Sequence, residues 1–190
     1  MNLVFATNNP HKLAEVRALL PQYTILSLQD IGCYEDIPET QETIKGNAIQ
    51  KAEYVTQKYG YYCFADDTGL EVNALNGAPG VYSARYAGPE CNSKDNVNKL
   101  LKALKDTSNR AAQFKTVVAL TTQTHTETFE GICKGYILTE NYGDKGFGYD
   151  PVFKPEGYEK TFAQMTQEEK SAISHRGKAI RQLIDYLKSN

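Results

Sequence analysis

Two adjacent carboxylates, Asp66 and Asp67, follow the apolar run Tyr61-Tyr62-Cys63-Phe64-Ala65 and precede Thr68-Gly69. Paired acids at the end of a strand supply hard oxygen ligands. Such ligands suit Mg²⁺, which keeps several waters and completes its shell with substrate phosphates rather than an all-protein cage. Phosphate chemistry is therefore the first reading of this segment, against the alternative that Asp-Thr-Gly merely shapes a turn. Pro38-Glu39-Thr40 and Glu42 lie ahead of a helical stripe beginning near Thr43, where the helix dipole favours carboxylates with or without a ligand. Glu39 is the acid that would complete a Mg²⁺ site with the Asp66/Asp67 pair, and Lys51, further along that helix, would point a charge at the phosphates.

A second anion-binding candidate is Thr7-Asn8-Asn9-Pro10-His11-Lys12, set between a short apolar run and a helical stripe. Free N–H groups and the dipole at a helix start favour an anion, and Lys12 adds a full charge one turn in. The segment is neither a Walker A loop nor a G-x-G-x-x-G loop, so a capped helix with a solvated lysine is the competing account.

Phe147-Gly148-Tyr149-Asp150 combines mobile glycine with two aromatics and an acid. Aromatic faces stack on any nucleobase for about 1 to 3 kcal/mol, while polar groups read its edge; inward-folded aromatics forming a small core are the alternative. Lys170, His175 and Arg176 form a donor cluster, with helix-end charges as the competing explanation. An oxygen at purine C6 accepts from such groups, whereas the amino group of adenine offers a donor there, so selection against adenine is expected.

The rest of the chain limits the alternatives. Among 190 residues, 41% are apolar and 23% charged, a globular profile, and 21 basic against 23 acidic residues give a net charge of -2. No global field draws the chain to nucleic acid or a membrane. Cys33, Cys63, Cys91 and Cys133 are far apart, with no C-x-x-C pair and no histidine at zinc spacing. His11, His125 and His175 make no metal motif, and neither G-x-S-x-G nor HExxH occurs. The Met1-Asn2-Leu3-Val4-Phe5 start lacks a basic leader, which predicts a cytoplasmic protein.

The positioning elements follow from periodicity. Leu3–Ala6 reads as a buried strand, Leu13, Val16, Leu19 and Leu20 as a helix capped by Asn9 with Pro10 at its first position. Tyr23–Leu28 and Tyr61–Ala65 are predicted strands, and Ile44, Ala48, Ala52 and Val55 mark a second helix. Asn73–Gly80 is a turn region, Val97, Leu100, Leu101 and Leu104 a third helix starting near Asn92 or Ser93, and Phe114–Thr122 with Thr126–Thr139 an antiparallel pair with bulges at Gly131 and Gly135. Thr166-x-x-Glu169 is a capping box, and Ile180, Leu183, Ile184 and Leu187 lie on a last helix opening at Ser174. Strands and helices mix throughout, which predicts an α/β fold with a mixed sheet.

Taken in order, Ala6-Thr7-Asn8-Asn9-Pro10-His11-Lys12, Ala65-Asp66-Asp67-Thr68-Gly69-Leu70, Gly77 to Tyr86, Phe147-Gly148-Tyr149-Asp150-Pro151 and Ser174-His175-Arg176 resemble the inosine triphosphate pyrophosphatase family, the XTP/dITP diphosphatases. The match runs from Leu3 to Leu187. The resemblance implies hydrolysis of dITP, ITP and XTP to the monophosphate and pyrophosphate with Mg²⁺. It also implies a homodimer and a two-lobed α/β fold, with a long mixed central sheet flanked by helices, around an active-site cleft, the whole 1–190 chain forming one catalytic domain. By family position Thr7, Asn8, Asn9, Pro10, His11 and Lys12 hold the triphosphate, Glu39 and Asp67 bind metal, and Asp67 is the base for the attacking water. Lys51, Thr68 and Arg85 contact substrate, Phe147, Gly148, Tyr149 and Asp150 enclose the base, and Lys170, His175 and Arg176 read it. The chain departs from the pattern where Glu-Thr-Gly reads Glu39-Thr40-Gln41, where Gly46 replaces an acid before Asn47, where Thr68 replaces Ser, and where Asn8 replaces a glycine.

Overall fold

The computed structural model describes residues 2–189, so Met1 and Asn190, the ends of the expected 1–190 domain, lie outside the described residues. The fold is α/β, with strands in the order β2-β1-β3-β5-β6-β7 and β4 paired to β3. They are β1 (Asn2–Phe5), β2 (Thr24–Leu26), β3 (Cys63–Val72), β4 (Pro79–Gly80), β5 (Ala111–Thr121), β6 (Thr126–Ile137) and β7 (Phe153–Pro155). The helices are α1 (Pro10–Leu19), α2 (Ile44–Tyr59), α3 (Ser93–Ala103), α4 (Gln167–Ile173) and α5 (His175–Ser189). Parallel β1–β2 and β1–β3 pairs and antiparallel β3–β4 and β6–β7 pairs make the sheet mixed.

The chain forms two compact units. One comprises Met1–Asp67, Thr116–Gly131 and Arg176–Asn190, the other Thr68–Lys115 and Ile132–His175. The core of the first gathers Leu3, Phe5, Val16, Phe64, Val118, Leu120, Ile180 and Leu183. That of the second gathers Leu70, Val72, Leu100, Phe114, Tyr149, Phe153 and Phe162. Among the described residues no helix is long and apolar enough to cross a membrane.

Local chemistry accounts for most boundaries. The Asn9 side chain accepts from the N–H groups of His11 and Lys12, and Pro10 opens α1. Thr43 caps α2 by accepting from the Gly46 N–H, and Gly60 ends it at φ 76°. Asn92 caps α3, and Thr166 with Glu169 forms the expected capping box on α4.

Two expectations are corrected. The second strand stops at Leu26 because the Asp30 carboxylate accepts from the N–H and hydroxyl of Ser27, which turns the chain into a 3₁₀ turn at Gln29–Ile31. The third strand does not end at Ala65: it runs through both acids to Val72, so Asp66 and Asp67 stand in mid-strand rather than in a turn. Lys12 and Arg176 satisfy the Asp66 carboxylate within the fold, which removes its need for a solvated turn, and Leu70 and Val72 continue the buried run. On its β7 side Gly135 sits in regular register opposite Pro155, and a Cβ there would come within 2.3 Å of the Lys154 carbonyl oxygen. Its glycine serves a close backbone approach.

Candidate active site

In the first unit the side chains expected to do chemistry converge on Lys51. Its ammonium donates to Glu39 Oε1 at 2.5 Å and to the Asp66 backbone oxygen at 2.8 Å, and lies 3.9 Å from Asp67 Oδ1. Burial disfavours the lysine charge, but Asp67, Glu39 and Asp66 outweigh it and hold its pKa above the ordinary value. The neighbouring acids diverge. Asp66 is buried, yet Lys12, Arg176 and Lys51 more than offset that penalty and hold its carboxyl well below the usual carboxylate range. For Asp67 burial prevails over the pull of Lys51 and Lys12, and its pKa is raised.

Both Asp66 oxygens are engaged, Oδ1 by Lys12 Nζ at 3.0 Å and Oδ2 by Arg176 Nε at 2.9 Å. Arg176 also donates to Glu15 Oε2 at 2.6 Å. Two nitrogens of this residue, expected from the sequence to read a base, are held by buried acids of this unit. Burial pushes the Lys12 pKa down despite Asp66. The Thr7–Lys12 loop presents fewer open amides than expected, since the Asn9 N–H donates to Thr7 Oγ1 and those of His11 and Lys12 to Asn9 Oδ1. Asn8, Pro10 and His11 are exposed, and Thr7, Asn9 and Lys12 half-buried.

The donor chemistry of this unit fits Mg²⁺. Glu39 and Asp67 both lie within 3.9 Å of the Lys51 nitrogen, so the pair already brackets one positive charge, and Glu39 is exposed enough to be reached. Among the described residues no group of three or more His, Cys, Asp or Glu is disposed to hold a metal. Two carboxylates suit Mg²⁺, whose shell keeps water and takes substrate phosphates, better than an ion caged wholly by protein.

In the second unit Asp150 Oδ2 accepts from Lys170 Nζ at 2.8 Å and from the Phe147 N–H at 2.9 Å. The ammonium stands 4.8 Å from the Phe147 ring centroid. Both Asp150 and Lys170 are buried, whereas Phe147 and Gly148 are half-buried. Gly146, at φ 73°, keeps room for this pair: a Cβ would fall 2.1 Å from Asp150 Oδ2. The two aromatics part company. Tyr149 belongs to the core and donates its hydroxyl to the Ser83 carbonyl at 2.8 Å, whereas Phe147 stays outside that core. His175 is buried with its ring stacked on Phe114 at 4.5 Å. Thr68 is half-buried on β3, and the Arg85 guanidinium lies 5.1 Å from the Tyr82 ring centroid.

Two residues of the first unit were missed. Glu15 on α1 is 6% exposed, and Asn47 on α2 is 1% exposed, donating to Asp67 Oδ2 at 3.2 Å while accepting from the Gln41 N–H at 2.9 Å. A signal existed for both: each is a polar residue inside a buried helical stripe, Glu15 beside Val16 and Asn47 between Ile44 and Lys51.

The α/β fold with its mixed sheet and the carboxylates set around the buried lysine of the first unit define an enzyme-like class of protein. Its family is established by comparison: the Ham1 family model matches residues 3–186, and the chain belongs to the Ham1 family. It is 63% identical over 188 residues to a dITP/XTP pyrophosphatase of Flavobacterium johnsoniae, covering 98% of each chain. It is 62% identical to that of Flavobacterium psychrophilum, covering all of both chains. The Ham1 protein of Staphylococcus aureus superposes with a TM-score of 0.91 at 39% identity, covering 100% of this chain and 99% of that one. A HAM1 protein of Coxiella burnetii does so with 0.92 at 38% identity over the whole of both.

Proposed function

We propose that this chain hydrolyses dITP, ITP and XTP to the nucleoside monophosphate and pyrophosphate by Mg²⁺-assisted attack of water at the α-phosphorus, removing deaminated purines from the nucleotide pool. The observation that carries this reading is full-length identity of 62% and 63% to proteins named dITP/XTP pyrophosphatase. Residues 1–190 act as one catalytic domain on a small molecule, in a cytoplasmic homodimer that binds neither nucleic acid nor membrane; the family resemblance and the near-neutral charge support this.

Glu39 and Asp67 would hold the Mg²⁺, which supplies neutralisation of phosphate charge. Asp67, whose pKa burial raises, takes the proton from the attacking water. Asp66, with both carboxylate oxygens engaged, supports Lys12 and Arg176 rather than ligating metal. Lys12 and the Thr7–His11 loop bind the triphosphate and stabilise charge on departing pyrophosphate. Lys51, Thr68 and Arg85 contact the substrate. Phe147 stacks on the base, Gly148, Tyr149 and Asp150 enclose it, and Lys170 and His175 read the oxygen at C6. Arg176 joins Lys170 and His175 in reading the base, and also anchors Asp66.

The test is incubation with Mg²⁺ and ITP, dITP, XTP, ATP or GTP, with pyrophosphate and monophosphate assayed together. Pyrophosphate from the deaminated purines in preference to ATP is expected. Release of orthophosphate alone would mark a different phosphohydrolase, binding without turnover a sensor, and equal rates on ATP and ITP would overturn base selection.

A further inference from the structure

The Asn47 side chain has two polar ends, and the fold uses each for a different purpose. Its oxygen accepts from the Gln41 backbone N–H at 2.9 Å and its nitrogen donates to Asp67 Oδ2 at 3.2 Å. Gln41 lies two residues from Glu39 in the segment that leads into α2, and Asp67 stands on β3, so one amide joins the segment carrying one acid to the other acid itself. The residue is 1% exposed, and its own N–H continues the helix to the Thr43 carbonyl, so the amide is held by the first turn of α2. Lys51, one turn on, meets the other Asp67 oxygen at 3.9 Å. The Asp67 carboxylate is thereby gripped from the same helix at both oxygens.

We propose that Asn47 is a positioning residue for the hydrolysis: it fixes the orientation of the Asp67 carboxylate and couples it to the segment bearing Glu39. The inference rests on the reading of Asp67 as the base. Displacing a reacting group by about 1 Å is enough to cost on the order of 100-fold in rate, which sets the expected scale.

The two ends of the amide are separable by chemistry. Asn47→Asp keeps an acceptor for the Gln41 N–H and removes the donor to Asp67; Asn47→Ala removes both. Burying a second carboxylate beside that of Asp67 should lower the thermal midpoint of Asn47→Asp, while the folded protein keeps KM for dITP within a few-fold and loses kcat roughly 100-fold. Asn47→Ala should lose kcat comparably and also free the Gln41 amide to hydrogen exchange. Wild-type kcat in a folded Asn47→Asp protein, or a rise in KM with kcat intact, overturns the inference. A readout that does not depend on either variant folding, or on turnover, is the Asn47 side-chain amide resonance of the wild-type protein without metal. Asp67→Asn should shift it strongly, and an unmoved resonance overturns the contact. Asp67→Asn also separates the two levels. Retained wild-type kcat there defeats the base reading itself, whereas an inactive Asp67→Asn beside a fully active Asn47→Asp defeats only the role given to Asn47.

Discussion

Arg176 Nε donates to Asp66 Oδ2 at 2.9 Å, joining residues 110 positions apart. The guanidinium is 2% exposed and its pKa is raised, because Asp66 and Glu15 outweigh the penalty of burial. Removing one member of a buried ion group costs more than the group contributes, since the survivors remain as uncompensated buried charge. Arg176→Met should therefore destabilise the fold by about 3 to 5 kcal/mol. Denaturant unfolding measures it, and a midpoint unchanged from wild type would remove the structural role given to this arginine.

Lys51, buried among Glu39 and Asp67, bears on rate as well as on folding. Its ammonium faces Glu39, Asp67 and the Asp66 carbonyl, so it is the fixed positive charge around which the two candidate metal ligands are arranged. Loss of one preorganised donor costs on the order of 100-fold in kcat. Lys51→Met should fall by that amount in a pyrophosphate-release assay. Lys51→Arg should not restore it, because a planar fork does not fill a site shaped for a compact ammonium. Turnover within a few-fold of wild type in either variant would show that this charge is dispensable.

Glu35 supplies a pH-dependent clamp on the same segment. Its carboxylate accepts from Lys58 Nζ at 2.7 Å, Tyr59 Oη at 2.7 Å and Tyr54 Oη at 3.0 Å, tying the stretch before Glu39 to α2. The Lys58 and Tyr59 hydrogen bonds hold its pKa well below the ordinary 4.5. A depressed carboxylate contributes stability that is fully present above its unfolded pKa and is lost as pH falls toward the folded one. The stability difference between wild type and Glu35→Gln should thus be constant near neutrality and shrink as pH falls below 4.5. A difference that grows on acidification would reverse the sign and sink the assignment.

How far the chain could be read without coordinates depended on whether a residue's partner was local. Asn9, Thr43, Asn92 and the Thr166–Glu169 box act on amides a few residues away, and each cap stands where the spacing predicts. The extent of β3 was not legible, because what keeps Asp66 in a strand is Lys12 and Arg176, distant in sequence. The same holds for the candidate site. Glu39 and Asp67 were chosen by type and do share the Lys51 ammonium, but Asn47 and Glu15 take their meaning from contacts across the fold. Tyr149 shows the converse: an aromatic beside glycines suits stacking on a base, yet its hydroxyl finds the Ser83 carbonyl and the ring joins the core.

Positions 41 and 46 meet across the start of α2. A Cβ built on Gly46 would lie 2.8 Å from Gln41 Cβ, 3.0 Å from Thr43 Oγ1 and 3.2 Å from Gln41 Cγ. An exposed helical Gly→Ala change ordinarily gains about 1 kcal/mol. Here the contact is with the stem of Gln41 rather than a flexible tip, and the Gln41 N–H is bonded to Asn47, so the segment cannot retreat without loosening that link. Overpacking of this kind costs about 1 to 3 kcal/mol, enough to cancel or reverse the propensity gain. Gly46→Ala should therefore fail to stabilise the protein and should weaken the Gln41–Asn47 bond, while Gln41→Gly combined with Gly46→Ala should recover part of the helical gain, the Thr43 hydroxyl still lying 3.0 Å from the new Cβ. A double-mutant cycle by denaturant unfolding tests it: coupling of about 1 kcal/mol or more is expected for residues in contact, and additivity within about 0.5 kcal/mol would show that the two positions vary independently.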